Sequence, residues 1–266
     1  MLASLIIKIK PRDNAVIKKD YGSLFHGYLL SKLDTEYVER LHNLKLNPYS
    51  QYSYFDKKDD VYIWKISTLN EEAKEKIIDI ILNDKSEFLE LNYHNLKADI
   101  ISKNITDICS YKDIADRYFL SDNVNRIVNI KFLTPTTYKV HGNFTIFPYI
   151  DNMFISLYNK WNMYSENISL QDERVISDLV KNVKIIRYDL KSTKFSMEGI
   201  KLNSFIGNIT LHCSENKILV NIYNMLLDFA NYCGIGAKTS LSMGGVLISK
   251  PYIEKIKNSV QTYKNI

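Results

Sequence analysis

Glycine and proline are scarce. Nine glycines and five prolines make up about 5% of the 266 residues, against roughly 12% in average usage. Long Pro/Gly-rich linkers are therefore excluded. Cysteine is rarer still: Cys109, Cys213 and Cys233 are odd in number and widely spaced. No Cys-x-x-Cys pair exists, which argues against a structural zinc site. A reduced, cytoplasmic setting is the default for such a chain. No run of about 18 uncharged apolar residues occurs, so no membrane-spanning helix is expected. The opening Met1-Leu-Ala-Ser-Leu-Ile-Ile-Lys8 has no cation ahead of its apolar run and reads as a strand rather than an export signal.

Hydrophobic residues reach 45% and charged residues 24%, enough apolar material to offset the entropy of ordering, so disorder is not expected. Cations outnumber anions by 35 to 30, a net charge of +5, beside 19 Tyr, 11 Phe and 2 Trp. Nucleic acid fits this balance, since cations meet phosphates and flat rings stack on bases. A charge surplus that serves solubility alone fits it too.

Residues 2–10 predict an opening strand. Leu24, Tyr28, Leu29 and Leu33 predict a helix over 20–33, and Asp34 is a suitable cap for a second helix carrying Tyr37, Val38 and Leu41. Residues 50–55 and 61–67 read as a hairpin, 70–82 as an amphipathic helix with acids in its first turn, and 87–106 as β-rich. That order is the split βαβ arrangement. It recurs loosely: a strand over 126–133, a helix over 151–161, a strand pair over 182–195 and 204–213, an apolar helix over 215–232, and a strand at 246–248. The fold class is α+β, with two tandem ferredoxin-like domains at 1–123 and 124–266. The polar stretch Ser121–Asn125 marks the boundary.

The sharpest local signal lies near the C-terminus. Four of the nine glycines, Gly234, Gly236, Gly244 and Gly245, fall within twelve residues. A loop of this kind turns N–H groups toward phosphate oxygens, with Lys238, Thr239 and Ser240 as further donors. It fails the nucleotide-binding P-loop pattern, because Ala237 precedes Lys238 and position 232 is Tyr. It also follows a helix and leads into a strand, the reverse of that motif. The local residues fit equally well a turn that merely feeds a helix into a strand.

At this loop the chain resembles the CRISPR-associated endoribonucleases that cut precursor CRISPR RNA within its repeats, proteins of the RAMP superfamily. Gly234-Ile-Gly236 corresponds to the first half of the family's glycine-rich loop. Ser242-Met-Gly244 stands at the second half, where Ser242 replaces the usual glycine and Gly245 is read as shifting the turn by one residue. Leu41-His42 followed by Pro48-Tyr-Ser50 is similar to the family's N-terminal region. The segments at Ile130–Tyr138, Leu157–Asn162 and Ser204–Thr210 resemble its second domain in the right order. The resemblance implies metal-independent cleavage with no cofactor, giving 2′,3′-cyclic phosphate and 5′-hydroxyl ends. It implies repeat RNA as partner, together with other subunits of a CRISPR effector. A non-catalytic RNA-binding subunit on the same fold is the alternative. The many tyrosines suit either a homodimer contact or a base-stacking surface.

Such chemistry needs a base near the 2′-hydroxyl, an acid near the leaving oxygen and positive charge on the phosphate. Of five histidines, His26 and His42 flank the helical region where the family keeps its catalytic side chains. They are sixteen residues apart, and two helices joined near Asp34 would bring them together. In isolation His42 reads as a helix C-terminal histidine; the resemblance makes it catalytic. His26 fits catalysis or a partly buried helix face. Tyr28 is a candidate hydroxyl donor that also fits a core position, and Lys45 a candidate charge that also fits a solvated surface. His94, His141 and His212 lie outside the matched region. Lys184, Arg187, Lys191 and Lys194, with Lys181 beside them, form a basic strand that follows an RNA backbone or simply faces solvent.

Overall fold

In β1 (Leu2–Pro11) side chains alternate between two faces. Ala3, Leu5, Ile7 and Ile9 point to one side and are almost wholly buried. They meet Phe25 and Leu29 of α1 (Gly22–Ser31) and Tyr37 and Leu41 of α2 (Thr35–Asn43). Asp34 caps α2, its carboxylate accepting the Tyr37 N–H at 2.8 Å. The hairpin follows as β2 (Tyr49–Asp56) and β3 (Val61–Thr68). The structure is a computed structural model and describes residues 1–13, 15–18, 21–91, 96–121, 125–140, 142–197 and 199–249. His94 and His141 lie outside the described residues.

The next helix differs from the regular one expected over 70–82. Between α3 (Glu71–Ala73) and α4 (Ile80–Asn83) its middle, Lys74–Asp79, is π-wound. The wider turn brings residues five apart onto one face, and Lys74 Nζ pairs with Asp79 at 2.9 Å across that spacing. With β4 (Phe88–Leu91) and β5 (Leu96–Cys109) the first sheet is antiparallel, in the order β2-β3-β1-β5-β4.

After β5 comes α5 (Tyr111–Phe119), opened by a reciprocal Ser110–Asp113 cap. Then follow β6 (Ile127–Thr136), the short hairpin β7 (Lys139–Val140) and β8 (Asn143–Phe144), α6 (Ile150–Tyr164) and α7 (Glu173–Asn182). The strand pair is β9 (Val183–Met197) and β10 (Ile200–Cys213). After it come α8 (Lys217–Cys233), a 3₁₀ turn at Thr239–Leu241 and β11 (Val246–Ile248). The second sheet runs β11-β6-β10-β9. Leaving the edge strand β4 aside, the two sheets share one order, fourth-first-third-second, and the chain is a tandem of ferredoxin-like units. The first sheet uses residues 2–109 and the second 127–248; the stretch 122–124 is outside the described residues.

Helix α8 joins the two sheets. It is apolar on nearly every face and buried along most of its length, as expected of a helix covered on all sides. One flank packs with Val128, Ile130 and Ile209 of the second sheet. The other meets the first: Ser50 Oγ donates to Tyr232 O at 2.5 Å, Lys65 Nζ to Asn231 O at 2.8 Å, and the Tyr232 hydroxyl to Asp107. The angle between the sheets is fixed by these contacts.

Candidate active site

The glycine-rich loop leaves the end of α8 and is gripped by the end of β6. Ala237 N–H donates to Thr137 O at 2.8 Å, Gly244 N–H to Pro135 O at 3.0 Å, and Gly245 N–H to Thr134 Oγ1 at 2.8 Å. Gly234, Gly236 and Gly244 all take positive φ, as do Lys238 (59°) and Ser242 (73°). The turn is therefore not shifted to Gly245: Ser242 itself adopts the left-handed conformation, at the modest cost a non-glycine residue bears there. At Gly244 (φ 67°) a β-carbon would sit 2.0 Å from Ile235 O, and at Gly245 2.4 Å from the Tyr52 ring. Those two positions admit glycine alone.

Ser240 ties this loop to the first sheet. Its carbonyl accepts Gln51 Nε2–H at 2.9 Å and its Oγ accepts Asn47 Nδ2–H at 3.3 Å. Gln51 is fully buried, and its other end accepts Trp64 Nε1–H at 2.6 Å. Indole N–H only donates, so the amide orientation is assigned. Thr239 Oγ1 accepts from Lys160 at 3.0 Å. The hydroxyls of Thr239 and Ser240, read from sequence as phosphate donors, accept these two bonds through oxygen and keep their O–H protons to donate, and both residues line the open cleft with Lys238.

His26, from α1, contacts the Ser240 backbone of this loop, and His42, from the last turn of α2, lies near enough to His26 to act on it electrostatically. His26 Nδ1 lies 3.1 Å from the Tyr49 hydroxyl. Burial, and then the neighbouring His42, lower the His26 pKa from 6.5 to about 4, against an opposing contact with the Ser240 backbone. His26 is therefore neutral at pH 7. Tyr49 is buried, which pushes its phenol up and keeps it protonated, a hydroxyl that can donate to Nδ1 or accept its N–H according to the tautomer. His42 is exposed. Tyr28 is not brought to this pair. Two residues past His26, it lies on another side of α1, its ring 6.0 Å from Trp64 and 5.2 Å from Lys32 Nζ.

Beside the loop lies an open cleft of about 530 Å³ walled by α6 and residues 45–47. Lys45, Lys139, Lys160 and Lys238 line it, and no carboxylate does. Four cations in a concave wall focus positive potential on an incoming anion. Among the described residues no three His, Cys, Asp or Glu side chains gather as a metal site.

Lys184, Arg187, Lys191 and Lys194 are all exposed on β9, the sheet edge. Lys184 and Arg187 stand opposite His212 and Thr210 on the solvent face, whereas Lys181 lies in α7 beside Asp178. The far end of the β9–β10 hairpin packs Phe195 and Leu202 on Met243 of the loop.

Four residues of this site were not read from the sequence: Asn47, Tyr49 and Gln51 in or just before β2, and Lys160 in α6. Lys160 left a signal. It falls on the buried stripe Met153, Leu157, Trp161, Tyr164, where a lysine has no reason to be unless its charge is used.

A family model described as CRISPR-associated endoribonuclease Cas6 matches residues 130–246. A curated protein of that description from Streptococcus thermophilus is 29% identical over 250 residues, covering 94% of this chain and 99% of its own. Another, from Mycobacterium tuberculosis, is 26% identical over 227 residues, 85% of this chain and 71% of its own. A solved Cas6 product complex superposes with a TM-score of 0.78 at 17% identity, over 94% of this chain and 99% of that one.

Proposed function

We propose that this chain is a Cas6-type CRISPR-associated endoribonuclease that cuts precursor CRISPR RNA within the repeat, without metal, at the His26–His42 site. The reading is carried by one observation: two imidazoles from separate helices neighbour each other where His26 meets the glycine-rich loop, beside a cleft of four lysines and no carboxylates. A base that accepts a proton must start neutral, and His26 does. In the tautomer whose Nδ1–H donates to the Tyr49 oxygen, Nε2 carries the free lone pair and takes the 2′-hydroxyl proton. The 2′-oxygen then bonds to phosphorus and the bond to the 5′-oxygen breaks. His42, free to reach the leaving oxygen, protonates it. A 2′,3′-cyclic phosphate and a 5′-hydroxyl result.

The bound phosphodiester brings negative charge beside His26 and favours its protonated form, which strengthens it as a base. Lys45 and Lys238 border the cleft and balance charge on the pentacoordinate phosphate. The β9 cations hold the flanking backbone. The three cysteines are free and buried, which suits a reducing compartment such as the cytoplasm. No helix among the described residues is long and apolar enough to cross a membrane.

The test uses the host's repeat RNA in EDTA, beside the same RNA carrying a 2′-deoxy residue at the cut site. Cleavage of the first with a cyclic-phosphate end, and none of the second, is expected. Tight binding without cutting would overturn the enzyme in favour of a binding subunit.

A further inference from the structure

Lys160 is 5% exposed. Its ammonium donates to Cys233 O at 2.9 Å, at the last residue of α8, and to Thr239 Oγ1 at 3.0 Å, in the 3₁₀ turn of the loop. Both acceptors are neutral oxygens. No salt bridge reaches it among the described residues, and an ammonium has three N–H donors of which two are used. A buried charge without a counter-charge is costly, and natural proteins keep one where it is paired or used. The same side chain lines the lysine-bordered cleft.

We propose that Lys160 is a positioning residue of the RNA site, fixing the glycine-rich loop against α8 from beneath while its unneutralised charge receives one phosphate of the bound strand. The inference rests on the repeat-RNA reading above and adds a specific phosphate subsite to it. The loop position matters because Thr239 adjoins Ser240, the residue that Asn47 and Gln51 hold beside His26. Burial lowers the pKa of Lys160, and a phosphate at the cleft would reverse that shift by supplying the missing anion.

The two roles separate by variant. Lys160→Met removes tether and charge; Thr239→Val removes one tether and leaves the charge. Binding of repeat RNA with a 2′-deoxy residue at the cut site is measured across salt concentrations, and single-turnover cleavage is measured on the normal RNA. For Lys160→Met we expect affinity to fall roughly 10- to 100-fold, as for a lost hydrogen bond to a charged group. Its log–log salt slope should fall by about 0.7, the value for one phosphate on a single strand. Thr239→Val should keep the slope and slow cleavage several-fold. A folded Lys160→Met with wild-type affinity and slope overturns the proposal. Should Lys160→Met fail to fold, Lys160→Gln takes its place. Should both fail, the wild type is tested on RNAs with one neutral methylphosphonate linkage at each position near the cut. No single position weakening binding threefold would then overturn it. A wild type that binds but never cuts sinks the nuclease reading alone, because the slope comparison needs no cleavage.

Discussion

The rings of His26 and Tyr49 lie 9° from parallel, with the phenol oxygen 3.1 Å from Nδ1. The phenol sets how the imidazole is turned and which nitrogen remains for chemistry. Tyr49→Phe keeps the packing and removes the bond. Single-turnover cleavage should slow by about 3- to 30-fold, the worth of one hydrogen bond in a partly buried site, with RNA affinity unchanged. Wild-type rates in this variant would show that the pairing is incidental.

His42→Ala should slow cleavage by roughly 10²- to 10⁴-fold, the usual range for a lost general acid or base. Affinity for the 2′-deoxy RNA should stay within a few-fold of wild type, because His42 is exposed and supports no core contact. Cutting at full rate would remove His42 from the mechanism.

Stability should depend on pH through His26. Its pKa is 6.5 unfolded and about 4 folded, so between those values the unfolded chain binds a proton that the folded chain does not. Stability is full above pH 6.5 and falls as pH drops toward 4, by about 3 kcal/mol at most from this group. His26→Asn should flatten that part of a denaturant-midpoint profile. Because kcat/KM reports the free enzyme, its acid limb should also lie well below 6.5. Identical stability profiles for variant and wild type would refute the shift.

Three glycine substitutions should rank in order. Gly27 lies in α1 with nothing within 4 Å of an added β-carbon, so Gly27→Ala should raise stability by about 0.5–1 kcal/mol. Gly245→Ala drives a methyl into the Tyr52 ring and should cost about 1–3 kcal/mol. Gly244→Ala meets backbone at 2.0 Å with φ at +67° and should be the worst. Urea melts would decide the order, and a neutral Gly244→Ala would contradict the loop geometry.

Replacing Lys184, Arg187, Lys191 and Lys194 together by Glu should weaken RNA binding and lower its salt slope by about 3, near 0.7–0.9 per phosphate contact. The cleavage rate at saturating protein should change little. A slope equal to that of wild type would place the RNA elsewhere.

Much of this architecture was legible because local periodicity and capping suffice for it. The alternation in β1, the Asp34 cap and the apolar stripe of α8 each state their element directly. The π-wound stretch was not, since it depends on a five-residue Lys74–Asp79 pairing within an otherwise helical pattern. The convergence of His26 and His42 was readable from the Asp34 break between their helices. Their surroundings were not: Gln51 and Ser240 are 189 residues apart in sequence, and only tertiary folding brings an amide to that carbonyl. Gly245 was misread for a similar reason. Its need for glycine comes from Tyr52 on the other sheet, which no reading of the loop alone contains.

Because α8 is clasped on both flanks, a hinge between the two sheets would have to break the Ser50, Lys65 and Tyr232 contacts at once. The cheapest adjustments are therefore rotations of exposed side chains such as His42, which leave those contacts whole.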